Sequence, residues 1–126
     1  MKLPKLLLAL AVAIPGTSFA DYEWQDTEGK HFDLLRDGKP VVRFVYEAID
    51  ESSPERRDET YKPFCHVFRP GSSDAFLTKG PGGKFPHHRG IYYGFSKCSY
   101  VGADGKTQKN IDTWHCRKAH QVHREF

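Results

Sequence analysis

The sequence predicts an all-β fold, an antiparallel sandwich or barrel with the sandwich preferred, and three observations carry that expectation. Short runs rich in β-branched and aromatic residues recur along the chain, separated by Gly, Pro and Asp turn signals. Two of the separators, Asp37-Gly38 and Asp104-Gly105, are the dipeptide that tight hairpin turns favour, because their central positions want positive φ. No segment shows a convincing three-to-four-residue apolar spacing of an amphipathic helix.

Taken in order, Tyr22 to Asp26 is a short candidate strand, and Glu28-Gly29-Lys30 is a turn. His31 to Leu35 is the next strand, and Arg36 to Pro40 holds the Asp-Gly turn. Val41 to Glu47 (VVRFVYE) is the clearest strand, with Val42, Phe44 and Tyr46 on one face and Arg43 and Glu47 on the other. Ile49 to Thr60 is polar, carries charges of both signs and reads as an exposed loop. Tyr61 to Phe68 (YKPFCHVF) follows, with Pro63 confining it to an edge or a strand start because proline cannot donate to a ladder. After the turn Arg69 to Ser73, Ala75 to Thr78 is a further short strand, and Lys79 to Lys84 is a glycine-rich loop. Ile91 to Tyr100 (IYYGFSKCSY) is aromatic and strand-like, Gly102 to Lys106 turns, Asn110 to Cys116 returns, and Ala119 to Phe126 reads as a strand in progress. That last run has no turn, cap or polar tail behind it, so the expectation is a β domain shortened at its C-terminal end.

Residues 1–20 have the parts of a cleavable signal peptide. Lys2 and Lys5 form a positive n-region, Leu6 to Ile14 is an apolar run of about nine residues, Pro15-Gly16 breaks it, and Ser18-Phe19-Ala20 offers small residues to a peptidase. A membrane span needs about 20 apolar residues, roughly twice this run. The expectation is export to the periplasm or beyond, with one β-rich domain over residues 21–126 and no membrane span once the signal is removed. The whole chain has 19 Lys+Arg against 16 Asp+Glu, a net charge of +3. Without Lys2 and Lys5 the excess falls to +1, and no basic run is interleaved with aromatics. Nucleic acid is therefore not an expected partner.

Cys65, Cys98 and Cys116 are the three cysteines. An odd number in an oxidising compartment allows at most one internal disulfide. Cys98 with Cys116, on consecutive predicted strands, is the better pair. Three buried thiols acting as small apolar groups is the alternative. No CxxC occurs, so neither a redox motif nor a zinc knuckle is indicated.

Chemistry concentrates in the histidines, seven in all. Pro86-His87-His88-Arg89-Gly90 closes the glycine-rich loop, and Asp112-Thr113-Trp114-His115 lies downstream, with His66 in an earlier strand. A loop whose ends are fixed by a scaffold is a natural place for functional side chains. Three readings stand open. In the first, the ligand is a carbohydrate or similar small molecule. His87, His88 or His115 acts as acid or base, Arg89 grips a carboxylate or hydroxyls, Trp114 stacks on a sugar face, and His66 and Asp112 support binding. In the second, neutral imidazoles hold a metal, with Asp112 completing or orienting the set; adjacent histidines on an extended strand point to opposite faces, so His87 and His88 share an ion only if the loop bends. In the third, the histidines are surface residues and Trp114 is core. Gly80-Pro81-Gly82-Gly83 is no phosphate loop, because no Lys-Ser/Thr follows it.

HHRG after a proline, an aromatic strand and then Asp112-Thr113-Trp114, together with Tyr61-Lys62-Pro63-Phe64, resemble the exported bacterial proteins labelled methane oxygenase PmoA-like. The resemblance runs from about Leu34 to the end and covers the N-terminal part of such proteins. It implies a β-rich fold, with a sandwich like that of sugar mutarotases, of which this chain would be the incomplete half. Methane oxidation itself is not expected. The mature chain has no spanning helix, and a histidine brace would require histidine at its first position, where Asp21 stands.

Overall fold

The computed structural model describes residues 20–125; the n-region and apolar run of the signal peptide lie outside them. Six strands and one short helix follow in order: β1 (Tyr22–Thr27), β2 (His31–Arg36), β3 (Lys39–Val45), α1 (Pro54–Thr60), β4 (Phe64–Val67), β5 (Cys98–Val101) and β6 (Thr107–Ile111). They form a four-stranded antiparallel sheet in the order β1-β2-β3-β4 and a separate β5-β6 hairpin. The expected all-β, antiparallel class holds. No helix among the described residues is long and apolar enough to cross a membrane.

The first hairpins form where their turn chemistry dictates. Asp37 and Gly38 have φ of 51° and 73°, the pair of positive values a two-residue turn needs to join β2 to β3. A bulge between Leu34 and Leu35 shifts the register beside that turn. β4 is the edge strand that Pro63 foretells, since it begins one residue after the proline and pairs with β3 alone within the sheet.

On one face of this sheet a small core gathers around buried Leu35, Phe64 and Phe68. Asp33 and Arg43, register partners across β2 and β3, form a two-point ion pair with both distances 2.8 Å. The Arg43 guanidinium lies 5.4 Å from the centre of the Phe68 ring. His66 belongs to the same core. It is 6% exposed, stacks on Phe76 at 4.0 Å and meets the Thr78 hydroxyl through Nδ1 at 2.8 Å. Burial, and then the nearby Arg43, pull its pKa below the ordinary histidine value, so it is a neutral core group.

Five expectations are corrected. The polar stretch before Tyr61 contains a helix: Ser53 caps it by accepting from the Arg56 N–H at 3.2 Å, Pro54 starts it, and Glu55 sits in the first turn. It is short and polar, tied by Arg56 to Glu47, Asp50 and Glu59, so it shows no apolar periodicity. The predicted strand from Ile91 to Tyr100 is mostly irregular. Ile91 makes one bridge to Cys65, and only Cys98–Val101 is a strand. Gly94 lies so close to the Thr113 carbonyl that a Cβ would sit 2.6 Å from it. There Phe95 N–H donates to the Thr113 hydroxyl, and Phe95 O accepts from Thr113 and Trp114, in place of a ladder. The returning strand runs Thr107–Ile111 and stops at Asp112, whose carboxylate accepts the N–H groups of Trp114 and His115 and turns the chain. Residues 119–125 form no strand; Gln121 instead bonds to the carbonyls of Tyr61, Tyr93 and Thr113. The Cys98–Cys116 pairing is not made either. All three thiols are free, Cys116 is fully buried, and Cys98 contacts the Phe95 carbonyl.

Candidate functional site

Three segments far apart in sequence meet at the C-terminal end of α1: the end of the helix with Tyr61, the loop Lys79 to Gly90, and the turn Asp112 to Arg117. The loop is shaped from within by Lys79. Its ammonium donates to the carbonyls of Gly80 (2.9 Å), Gly82 (2.6 Å) and His88 (3.0 Å), with Phe85 O at 3.4 Å. A compact ammonium fits at the point on which several carbonyls converge, whereas the donors of a planar guanidinium diverge in a fixed fork. Replacing Lys79 by Met should therefore loosen residues 80–88. We expect their amide exchange to rise on the order of tenfold while the β1–β4 amides keep their protection, as hydrogen-exchange mass spectrometry would read out; Lys79→Arg should not restore the loop.

The same loop bends at Pro86-His87, where the His88 N–H donates to Phe85 O at 3.0 Å. His87 and His88 are thus not on opposite faces of a strand: their ring centres are 4.2 Å apart. His87 also lies 4.6 Å, ring to ring, from His115, and His115 Nδ1 is 2.9 Å from Asp112 Oδ2. Asp112 bonded to Nδ1 leaves Nε2 of His115 as the nitrogen available to a ligand. Burial alone would raise the Asp112 carboxyl, but the N–H groups and ring of His115 and the N–H of Trp114 outweigh it, and its pKa falls. His87 is held below the ordinary histidine value, by burial first and then by its neighbours His88, His115, Lys62 and Arg117. At neutral pH it is an uncharged imidazole.

His87 and His115 open onto a pocket of about 350 Å³, bordered also by Arg57, Asp58, Tyr61, Lys84 and Arg117. Trp114 stands behind it, about one-third exposed, with its ring edge-on to Tyr92 (5.3 Å) and to His88 (6.2 Å). His88 is on the exposed side of the cluster.

The remaining expected site residues are placed elsewhere. His66 is in the sheet core described above. Arg89 is 1% exposed, and its guanidinium donates to the carbonyls of Asp58, Glu59 (2.9 Å) and Pro86 (2.8 Å) while lying 4.2 Å over the Tyr61 ring. Those helical carbonyls are the ones a helix end leaves unpaired, so Arg89 caps α1, and its burial keeps it from gripping a ligand.

Sequence reasoning missed Arg57, Tyr61, Lys84, Arg117 and Lys62. Lys62 is buried next to Tyr61 in the chain, with its ammonium 2.7 Å from Trp114 O and 3.4 Å over the Tyr92 ring. Burial, and then Arg89, push its pKa down to about 8, against the opposing pull of Cys116 and Asp112. The one available signal was YKPF, which stood out as part of a strand and of the family resemblance, with no role given to its tyrosine or lysine. Nothing in the sequence marks Arg57 or Arg117, because a charge in a polar stretch looks solvated until its neighbours are known. Among the described residues no set of three His, Cys, Asp or Glu side chains converges in a way that could hold a metal ion.

Residues 31–126 match the profile described as a family of unknown function, DUF6807. No curated protein and no solved structure matches the chain.

Proposed function

The chain belongs to the DUF6807 family, whose function is unknown, and on that footing we propose that it is an exported protein that binds a sugar and moves protons on it through His87 and His115. The observation that carries this is the line of contacts Asp112, His115, His87 at the rim of one polar pocket. Asp112 orients His115 so that Nε2 can take a proton from a hydroxyl. His87, uncharged at neutral pH and beside it, can receive that proton from His115 and pass it on, so the one proton taken from the first oxygen is the one delivered to the second. On a cyclic sugar that pair can take the proton from the anomeric hydroxyl and protonate the ring oxygen as the ring carbon–oxygen bond opens, with reversal closing it on the other face. The signal-peptide pattern of residues 1–20 and the resemblance to exported PmoA-like proteins support the exported setting.

A metal-binding role has less support, because the histidine rings do not converge with a third donor of metal-holding geometry among the described residues. A binding module without catalysis is the second reading, favoured by the partly exposed Trp114.

The deciding experiment follows interconversion of sugar anomers by polarimetry and ligand binding by calorimetry. With the enzyme, His115→Ala should lower turnover on the order of 10²–10⁴-fold and leave affinity within about threefold. With the binding module, Trp114→Ala should weaken affinity while no variant changes any rate, since ring stacking carries binding. No binding and no turnover on a panel of pentoses, hexoses and uronates would end both.

A further inference from the structure

We infer that the pocket's ligand is an acidic oligosaccharide, a chain of sugars bearing carboxylates, with Arg117 and Lys84 as its anion-binding side chains. This specification rests on the sugar reading above and narrows it.

The charges around the pocket support it. Among the described residues Arg117 and Lys84 have no carboxylate within ion-pair distance, and the Lys84 ammonium is 5.4 Å over the Phe85 ring. Arg57 differs, because it is held by Glu51 at 3.5 Å and by the Cys116 carbonyl at 2.9 Å. Two unpaired cations therefore border a space that also contains His87 and His115. Arg117 is shared with an adjoining hollow of about 450 Å³, where Lys109, Lys118 and Asp112 also line the wall. Positive charge thus continues from one hollow into the next, a spacing that suits a ligand with more than one anionic group rather than a single ion.

The negative member of the set fits the same ligand. Asp58 borders the pocket, and among the described residues its carboxylate has no cationic partner within ion-pair distance. A phosphate or other small dense anion would be repelled by it. Sugar hydroxyls donate to a carboxylate while the sugar's own carboxylate is bound by a guanidinium some distance away. Because the cations are exposed, their attraction is screened by salt, and binding must weaken as ionic strength rises.

The test measures binding of a galacturonate trisaccharide and of a neutral galactose trisaccharide to the full chain, in low and in physiological salt, with inorganic phosphate as a third ligand. Expected are preference for the acidic trisaccharide over the neutral one by at least about tenfold, weakening in salt, and a loss of about tenfold in Arg117→Met. Arg117 is exposed and has no ion-pair partner among the described residues, so that variant should keep the parent's circular dichroism and melting temperature. Equal binding of both trisaccharides, unchanged in Arg117→Met, overturns the acidic-ligand inference and leaves the sugar site standing. Phosphate bound as tightly as the acidic trisaccharide overturns it too, by reducing the site to a plain anion site. If neither trisaccharide binds, the sugar reading itself fails.

Discussion

Arg89→Ala should leave a chain that melts at least about 12 °C below the parent, or that does not fold at all. The guanidinium is buried, capped by carbonyls of Asp58, Glu59 and Pro86, and stacked on Tyr61. Truncation removes a charged group's hydrogen bonds and leaves carbonyls at the end of α1 buried with nothing to accept from. Each such orphan costs about 1–3 kcal/mol, and the emptied space adds to it. A total of about 3 kcal/mol or more corresponds to roughly 4–8 °C per kcal/mol for a domain of this size. Thermal unfolding followed by circular dichroism checks it. Arg89→Lys should recover little, because an ammonium cannot reproduce the fork that spans two segments. A melting temperature within about 3 °C of the parent for Arg89→Ala would show that α1 does not depend on this cap.

Gly90→Ala should cost a similar amount for an unrelated reason. Gly90 has φ of 40°, and a Cβ built there would lie 2.1 Å from the Cys65 carbonyl oxygen and 2.8 Å from the Phe64 ring. Neither neighbour can retreat: Cys65 and Ile91 exchange both backbone hydrogen bonds at 2.8 Å, and Phe64 is buried. The added methyl must therefore part the chain from the sheet edge, and we expect a loss of about 3 kcal/mol or more. Gly71→Ala is the control. Its φ is 80° but nothing lies within 4 Å, so only the backbone preference of about 1–2 kcal/mol is lost. Melting temperatures that fall equally in the two variants would mean that close approach to Cys65 contributes nothing.

These two residues show what was legible in the sequence and what was not. The run His87-His88-Arg89-Gly90 stands out as one motif, yet its halves do different work: His87 faces the pocket with His88 on its exposed side, and the Arg-Gly pair fastens the loop to α1 and β4. Sequence alone cannot separate them, because burial is set by Asp58, Glu59 and Cys65, which are 25 to 31 positions away. The β1–β3 meander was legible because its signals are local, with alternating side chains and an Asp-Gly turn. So was the Asp112–His115 pair, three residues apart. The helix α1 was not, since a seven-residue helix held by a cap and by Arg56 ion pairs has no apolar stripe to read. The aromatic run Ile91 to Tyr100 misled for the opposite reason: strand-like composition does not form a strand when the Thr113 hydroxyl and a close glycine contact replace the ladder.

The four-stranded sheet joins each strand to its neighbour in the chain, whereas the pocket needs residues 57–61, 84–88 and 112–117 brought together by irregular backbone. Short loops close at little entropic cost and longer ones at more. The two halves of the molecule therefore draw unequally on the free energy of folding: the sheet closes on itself locally, while the histidine end is held shut by single residues such as Lys79, Arg89 and Gln121. That end is expected to open before the sheet, so a bound ligand bridging the three segments would act as a latch, slowing local opening there far more than it slows opening of the sheet.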